Sequence, residues 1–286
     1  MELRKVSRKK SKLRIGLSAA SGYGKTYSSL LLAKGIAGDW DKIAIIDTEN
    51  GSADLYENLG EYNVMPLEAP YSPERYIEAI QACEEAGMEV VIIDSITHEW
   101  DGKGGCLEIW NQLGGQFQHW AKITPRHQKF IDAILRSNCH IITTVRRKQD
   151  YQMAQGANGK NYIQKMGTKE ITRDGFEYEL TLNFEIFNDK HLAKASKDRT
   201  GLFDSKPDFL ITEETGKELI QWANMGKDPL EEAIADVKSC ATASNPLESL
   251  TLKWNQYKHF RENERFAKVV QELTLKFKSE TANVQQ

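Results

Sequence analysis

The sequence predicts an α/β fold in which helices flank a mostly parallel sheet, and three observations support this prediction. First, an apolar stretch containing Leu13, Ile15 and Leu17 leads into a glycine-containing loop and then a helix-like segment. Second, residues 42–47 and 89–95 are short apolar runs that reach an aspartate. Such runs are typical of strands buried on both faces of a parallel sheet. Third, helix-like segments alternate with these strands, as parallel connections require.

The loop Ser-Ala-Ala-Ser-Gly-Tyr-Gly-Lys-Thr after the first strand matches the spacing of a phosphate-binding loop, except that Ala19 replaces its first glycine. Gly22 and Gly24 allow backbone N–H groups to face an anion, and the helix that follows adds further donors. Lys25 is placed to contact the outer phosphates and Thr26 to bind Mg²⁺. We therefore predict that ATP and Mg²⁺ bind at Ala20, Ser21, Gly22, Tyr23, Gly24, Lys25, Thr26 and Tyr27.

Polar residues follow each of the predicted parallel strands. Asp94 ends the second apolar run and is the expected acidic partner of Mg²⁺. Glu49 lies in the loop after the first run, at the sheet edge where ligands bind, so it is a candidate base for the attacking water. Asp47 competes with Glu49 for that role. Arg146 follows a further apolar strand, where a group that senses the γ-phosphate is expected.

The sequence of the second half of the core predicts antiparallel strands that extend the parallel sheet. Residues 176–186 alternate strictly between apolar and polar, which predicts a strand with one buried face. A tight turn at Asn188-Asp189 then returns the chain antiparallel over residues 191–196. Residues 207–212 are predicted to add an edge strand, and residues 213–223 a last helix.

The sequence predicts three parts: a basic N-terminal tail (1–11), an ATPase core (12–225) and a small helical appendage (226–286). In the appendage, Asp228 and Asn245 each precede a proline, which is typical of an N-cap followed by the first helical residue. Two or three helices are expected there. Because the basic and acidic residues of this part cancel, we expect it to contact protein rather than DNA.

Basic residues are concentrated in two segments, although the formal net charge is only −3. Residues 1–14 and 146–173 each contain seven lysines and arginines. This distribution is typical of a protein that meets a polyanion locally, although a solvated tail would equally explain the first segment. Residues 149–173 show no periodicity, which predicts a long functional loop. Residues 98–120 interleave tryptophans with glycines, which predicts either a loop that stacks on bases or tryptophans packed on the core.

The spacing of the cysteines and histidines and the hydropathy of the chain bear on disulfides, metal sites and membrane segments. Cys83, Cys106, Cys139 and Cys240 have no paired spacing, so reduced and partly buried thiols are expected rather than disulfides or a zinc site. The six histidines show no metal-binding spacing either. No apolar run approaches the roughly 20 residues needed to span a bilayer, and the charged N-terminus does not resemble a secretion signal. We expect a cytoplasmic protein that does not contact membranes.

In this order, the segments resemble the RecA-like P-loop ATPases over about residues 12–223. Residues 43–49 are similar to the family's strand-Asp-x-Glu element, whose glutamate activates the attacking water, and residues 91–95 to its Asp-Ser Walker B. The run Lys-Asp-Arg-Thr-Gly at 197–201 is similar to the Lys-x-Arg-x-Gly element of RadA and ring helicases. The nearest form is the phage-encoded RecA-fold proteins of recombination and single-strand annealing.

The resemblance implies a catalytic set and an assembly. Lys25, Glu49 and Arg146 would serve hydrolysis within one subunit, while Lys197 and Arg199 would reach the γ-phosphate of a neighbour. The active form would then be a head-to-tail ring or filament. RecA itself carries a glutamine at the place of Arg146, so the coupling of DNA binding to hydrolysis is expected to differ.

These features together predict a Mg²⁺-dependent, DNA-stimulated ATPase that binds single-stranded DNA in phage recombination or annealing. DNA is expected along residues 98–116 and 147–173, with a single-strand-binding or replication protein as a further partner. The alternatives are a ring helicase or branch-migration motor, and a nucleotide-gated loader that recruits a replication protein through its helical appendage. Phosphate contacts are expected from Lys148, Lys160, Lys165, Lys169 and Arg173, and stacking from Trp110, Tyr151 or Tyr162.

Overall fold

The structure, a computed structural model, describes residues 10–155, 161–226 and 228–284. The described residues divide into two compact units. The larger unit is Lys12–Trp222, and the smaller contains the described residues from Ala223 onward together with Lys10 and Ser11.

The larger unit is built on a nine-stranded mixed sheet. Its strands are β1 (Arg14–Ala19), β2 (Ile43–Asp47), β3 (Asn63–Pro66), β4 (Val90–Asp94), β5 (His140–Gln155), β6 (Asn161–Glu170), β7 (Leu182–Ile186), β8 (Leu192–Asp198) and β9 (Phe209–Leu210). The strand order is β3-β2-β4-β5-β1-β7-β8-β9, while β6 pairs with β5 off this path. Pairing is parallel from β3 to β7 and antiparallel for β8 and β9. This confirms the predicted parallel sheet with antiparallel additions.

Helices cover this sheet and bury its apolar strands. They are α1 (Lys25–Ala37), α2 (Pro73–Glu85), α3 (Thr97–Asp101), α4 (Cys106–Gln112), α5 (Trp120–Arg136) and α6 (Glu213–Asn224). Ile46 and Ile93 pack in one buried cluster with Tyr76 of α2 and Phe130 of α5. Because side chains alternate along a strand, the neighbouring buried residues of β2 and β4 point to the other face, and α1 contacts β4.

The described residues of the segment 149–173 do not form the predicted irregular loop. Instead, β5 continues to Gln155 and pairs antiparallel with β6, from Arg147 opposite Glu170 to Gln155 opposite Asn161. Past Arg146, β5 has no parallel partner among the described residues. A two-stranded ribbon beyond the main sheet needs no buried face, so no alternating apolar pattern marks it in the sequence. We call it the ribbon.

Residues 98–116 are also not a loop. They form α3 and α4, separated by a turn at Gly104 (φ 76°) and followed by turns at Gly114 and Gly115. Helices of five and seven residues are too short to show helical periodicity. The ring of Trp120 stacks on Trp100 (5.6 Å between centroids) and on Trp110 (5.5 Å).

The strand predicted at residues 176–186 is shorter than its alternating pattern. Phe176–Glu179 forms a 3₁₀ turn, and only β7 is extended. β7 lies between β1 and β8, so its buried residues are consecutive rather than alternate. Asn183 is one of them, and its amide donates to Glu170 (3.2 Å) and Ser196 (2.9 Å).

Arg14, one of the seven basic residues in the N-terminal segment, is buried at the start of β1. Its guanidinium donates to the carbonyl oxygens of Ser137 (2.5 Å) and Cys139 (2.7 Å), just after α5 ends. Burial lowers the pKa of Arg14 to about 10. This residue therefore holds the sheet to α5 and is not part of a solvated tail. Residues 1–9 of the predicted tail lie outside the described residues.

The smaller unit contains α7 (Pro229–Ser239), α8 (Pro246–Gln256) and α9 (Glu264–Val284) around an apolar cluster that includes Phe266. The predicted caps are confirmed, since Asp228 accepts from the N–H of Leu230 (2.9 Å) and Asn245 from that of Glu248 (3.5 Å). None of the described helices combines the length and apolarity that crossing a membrane requires.

Candidate nucleotide site

The loop between β1 and α1 has the backbone that phosphate binding requires. Gly22 and Gly24 have φ angles of 81° and 85°, which side chains disfavour. No side chain caps the start of α1, so its first N–H groups are available to an anion. Lys25 Nζ donates to the carbonyl oxygens of Ala19 (3.3 Å) and Ala20 (3.1 Å). Phosphate oxygens are stronger acceptors for this ammonium group than neutral carbonyls.

Thr26 and Asp94 form the pair that fits Mg²⁺. The Thr26 hydroxyl donates to Asp94 Oδ2 at 2.5 Å, and Thr144 donates to the other carboxylate oxygen. Burial raises the pKa of Asp94, only partly opposed by these hydrogen bonds. The carboxylate of Asp94 and the hydroxyl of Thr26 are oxygen ligands, which a hard cation such as Mg²⁺ prefers. The residues present thus fit a Mg²⁺ ion, which would neutralise charge on the outer phosphates.

Glu49 is held against Arg146 at the same edge of the sheet. Arg146 Nε donates to Glu49 Oε1 at 2.8 Å, a second guanidinium nitrogen donates to the other oxygen, and Ser95 Oγ donates at 3.2 Å. Burial raises the pKa of Glu49, but the hydrogen bond and charge of Arg146 outweigh it, so the pKa is lowered. Glu49 is therefore an ionised carboxylate with a fixed orientation.

Asp47, the competing candidate base, has both carboxylate oxygens occupied by the backbone. It accepts from the N–H of Glu49 (2.6 Å) and from that of Ala53 (3.1 Å), and its side chain is buried. These bonds fix the turn that carries Glu49. The geometry therefore favours Glu49 for contact with water and assigns Asp47 to the loop.

A cavity of about 790 Å³ brings the predicted polar residues together. Tyr27, Tyr56 and Leu210 line it as well, and they give it an apolar region suited to a flat base. Those of the predicted site residues that line the cavity are Ser21, Gly22, Gly24, Lys25, Thr26, Tyr27, Glu49, Asp94 and Arg146.

Four predicted site residues are not in the lining of this cavity. Ala20 contributes only the carbonyl described above, and Tyr23 presents its carbonyl to His191 Nδ1 at 3.0 Å. Lys197 donates to the carbonyl of Glu177 (2.7 Å), and Arg199 to that of Tyr178 (2.6 Å), away from the nucleotide cavity of their own chain.

His191 lines the cavity but was missed by sequence reasoning. It follows the β7–β8 turn, and a Cβ on Gly24 would lie 3.1 Å from its Nδ1. The Asn188-Asp189 turn signal places the end of a hairpin here. Nothing in the local sequence indicates that this hairpin bends over the phosphate-binding loop.

These features define a class of protein: a P-loop nucleotide-binding ATPase built on a mixed α/β sheet. A family model described as an AAA domain matches residues 11–209. The chain belongs to this family of ATPases, which confirms the predicted nucleotide-binding function. A search of curated proteins finds no match.

A second cleft of about 720 Å³ lies where the ribbon leaves the sheet. Phe117, with 88% of its surface exposed, lines it together with Trp100 and Trp120, and we call it the aromatic cleft. Its charges nearly cancel, because three basic residues face four acidic ones. The basic residues are Lys148, Lys169 and Arg173, and the acidic ones are Asp101, Asp150, Glu170 and Asp174.

Only some of the residues predicted to contact DNA lie at the aromatic cleft. Lys148, Lys169 and Arg173 reach the aromatic cleft, while Trp110 packs on Trp120 and is not in its lining. Lys169 also pairs with Asp174 at 2.9 Å. The remaining predicted contacts lie outside what the structure describes, as whole residues or as side chains; they are Lys160, Lys165, Tyr151 and Tyr162.

Proposed function

We propose that this ATPase binds single-stranded DNA at the aromatic cleft and couples its ATP cycle to DNA through β5. The observation that carries the proposal is the position of two residues on one strand. Arg146 bonds Glu49 at the nucleotide cavity, and Lys148, two residues further along β5, lines the aromatic cleft. Residues two apart on a strand share a face, so β5 connects the nucleotide cavity to the cleft. In this proposal, a shift of Arg146 towards a γ-phosphate repositions Lys148.

Within one subunit, the chain's own residues divide the work of hydrolysis. Lys25 and the N–H groups of α1 orient the phosphates, and Thr26 and Asp94 would hold Mg²⁺. When Arg146 turns to the γ-phosphate, Glu49 is released to orient a water and take its proton. Until then, the guanidinium of Arg146 occupies both carboxylate oxygens of Glu49.

Lys197 and Arg199 serve the nucleotide of a neighbouring copy. Neither lines the cavity of its own chain, yet a cation that neutralises the transferring phosphoryl group is worth about a thousandfold or more in rate. The active form is then a ring or filament. Mixing two inactive variants tests this: Lys25→Ala retains Arg199, and Arg199→Ala retains an intact phosphate-binding loop. Activity regained on mixing supports action in trans, and none regained contradicts it.

Stacking, rather than charge, sets the DNA affinity in this proposal. The cleft lining has one acidic residue more than basic ones and so attracts phosphate little, whereas an exposed aromatic ring stacks on any base. Binding of a labelled single-stranded oligonucleotide, followed by anisotropy over a range of salt, tests this. We expect binding that prefers single strands over duplex and weakens only shallowly with salt. Equal affinity for both forms would contradict it.

The biological role we propose is recombination or strand annealing, on phage DNA, with a single-strand-binding or replication protein as a further partner. The resemblance to phage RecA-fold proteins supports it. Annealing of complementary oligonucleotides, measured beside unwinding of a forked duplex, separates this role from that of a motor. Annealing without ATP-dependent unwinding is the expected result. Unwinding would instead indicate a helicase.

A further inference from the structure

We propose that Glu99, Cys106 and His127 bind a zinc ion that joins three helices beneath the tryptophan stack. Glu99 Oε1 lies 3.0 Å from His127 Nδ1 and 3.1 Å from Cys106 Sγ, and one potential ligand atom from each residue lies within 4.8 Å of the others. All three residues are buried. The site is separate from the nucleotide cavity, whose lining contains none of them.

The donor set is that of a zinc site. Sulfur, imidazole nitrogen and carboxylate oxygen are the ligands that zinc takes, at about 2.0–2.3 Å. Donors around one tetrahedral ion are then about 3–4 Å apart, close to the separations seen here. On binding, the Cys106 thiol loses its proton to solvent, and a zinc–sulfur bond replaces the S–H bond. One Zn²⁺, one thiolate and one carboxylate sum to zero charge, which suits a buried site.

Glu99 is the group whose burial needs explaining. Only 1% of the surface of Glu99 is exposed. In the described part of the chain, its side chain hydrogen-bonds to Cys106 and His127 and to no lysine or arginine. A buried carboxylate requires a counter-charge. Zinc supplies one. A protonated His127 is the alternative that the experiment must separate.

A cavity of about 250 Å³ adjoins one of the three proposed ligands, since His127 lines it together with Thr124 and Gln128. Neither Glu99 nor Cys106 is in its lining. The cavity therefore offers the ion an approach past His127, and an entry path is one requirement of a metal site.

Each ligand shares a helix with one of the stacked tryptophans. Trp100 follows Glu99 on α3, Trp110 lies one turn after Cys106 on α4, and Trp120 lies two turns before His127 on α5. The ion would thus fix the relative positions of the rings, two of which line the aromatic cleft. Tryptophan fluorescence is consequently a direct reporter of metal binding.

The test is the metal content of the full-length protein, measured by elemental analysis after removal of loosely bound ions. We expect about one zinc ion per chain, lost in Cys106→Ser and His127→Gln and retained in Cys83→Ser, which changes another buried thiol outside the cluster. Chelation should lower the Tm and shift the tryptophan fluorescence. Added zinc should restore both, and added Mg²⁺ neither.

Two results would overturn the proposal. The first is a protein whose Tm and fluorescence do not respond to zinc or chelator, and the second is a Cys106→Ser variant that keeps its zinc. The cluster would then be a hydrogen-bonded core group in which His127 balances Glu99. If a variant does not fold, cobalt decides the matter on the parent protein. A thiolate-to-cobalt charge-transfer band supports the site, and its absence contradicts it.

Discussion

The nucleotide cavity and the aromatic cleft are built in opposite ways. In the cavity, charged and polar groups already bond one another, as the Thr26–Asp94 and Glu49–Arg146 contacts show. In the aromatic cleft, Phe117 is exposed and the charges of the lining nearly cancel. The first arrangement favours one ligand in one orientation, since its donors and acceptors are fixed in advance. The second tolerates many bases, since stacking requires only a flat face.

Glu49→Gln tests the nucleotide side of this contrast and is expected to have the largest effect, a loss of ATP hydrolysis. The variant keeps the shape of the side chain but cannot take a proton, so kcat should fall by about 10²–10⁴-fold. Binding of ATP and of single-stranded DNA should persist. Steady-state hydrolysis and nucleotide binding measure the two effects separately.

Glu57→Gln is the matched control, because Glu57 is an exposed acid on the following 3₁₀ segment. Its hydrolysis rate should equal that of the parent. A Glu49→Gln variant that also hydrolyses ATP at the parental rate would show that Glu49 does not act as the base, and would contradict the account of the nucleotide cavity.

An intermediate effect is expected at the cleft, from Phe117→Ala. Loss of one stacking ring should weaken single-stranded DNA binding by about 1–3 kcal/mol. Anisotropy titrations measure the change, with Leu252→Ala as a control that removes an exposed apolar side chain from the smaller unit. Unchanged affinity in Phe117→Ala would show that the aromatic cleft is not where the bases lie.

The smallest expected effect concerns pH and the Arg146–Glu49 pair. Arg146 lowers the pKa of Glu49 against the opposing effect of burial, so the base stays ionised below the usual pH range of a glutamate. In Arg146→Gln this contribution is lost and the pKa rises. The acid limb of the kcat/KM profile, which reports the free enzyme, should therefore move to higher pH. A limb that stays in place would mean that another group titrates.

The same contrast explains what the sequence could predict. The phosphate-binding loop is contiguous, and parallel strands bring their carboxyl ends to one edge, so Lys25, Asp94 and Glu49 could be placed together from the sequence alone. The choice between Asp47 and Glu49 could not be made, because it depends on which carboxylate the backbone N–H groups occupy.

The sequence predicted that aromatic and basic residues gather in this region, but it did not predict the helices and strands that carry them. A two-stranded ribbon needs no buried face and so no alternating pattern, and α3 and α4 are too short to show helical periodicity. The stacking of Trp110 on Trp120 and the exposure of Phe117 follow from tertiary packing, which local sequence does not encode. For the same reason, the spacing of the cysteines and histidines predicted no zinc site, because the ligands we propose come from three separate helices.

The central claim is that β5 joins ATP hydrolysis to DNA binding. The most direct test is the rate of ATP hydrolysis by the full-length protein with and without single-stranded DNA, at ATP and DNA concentrations that saturate binding. We predict a clear rise in kcat with DNA. Bound DNA that leaves kcat unchanged would contradict the claim.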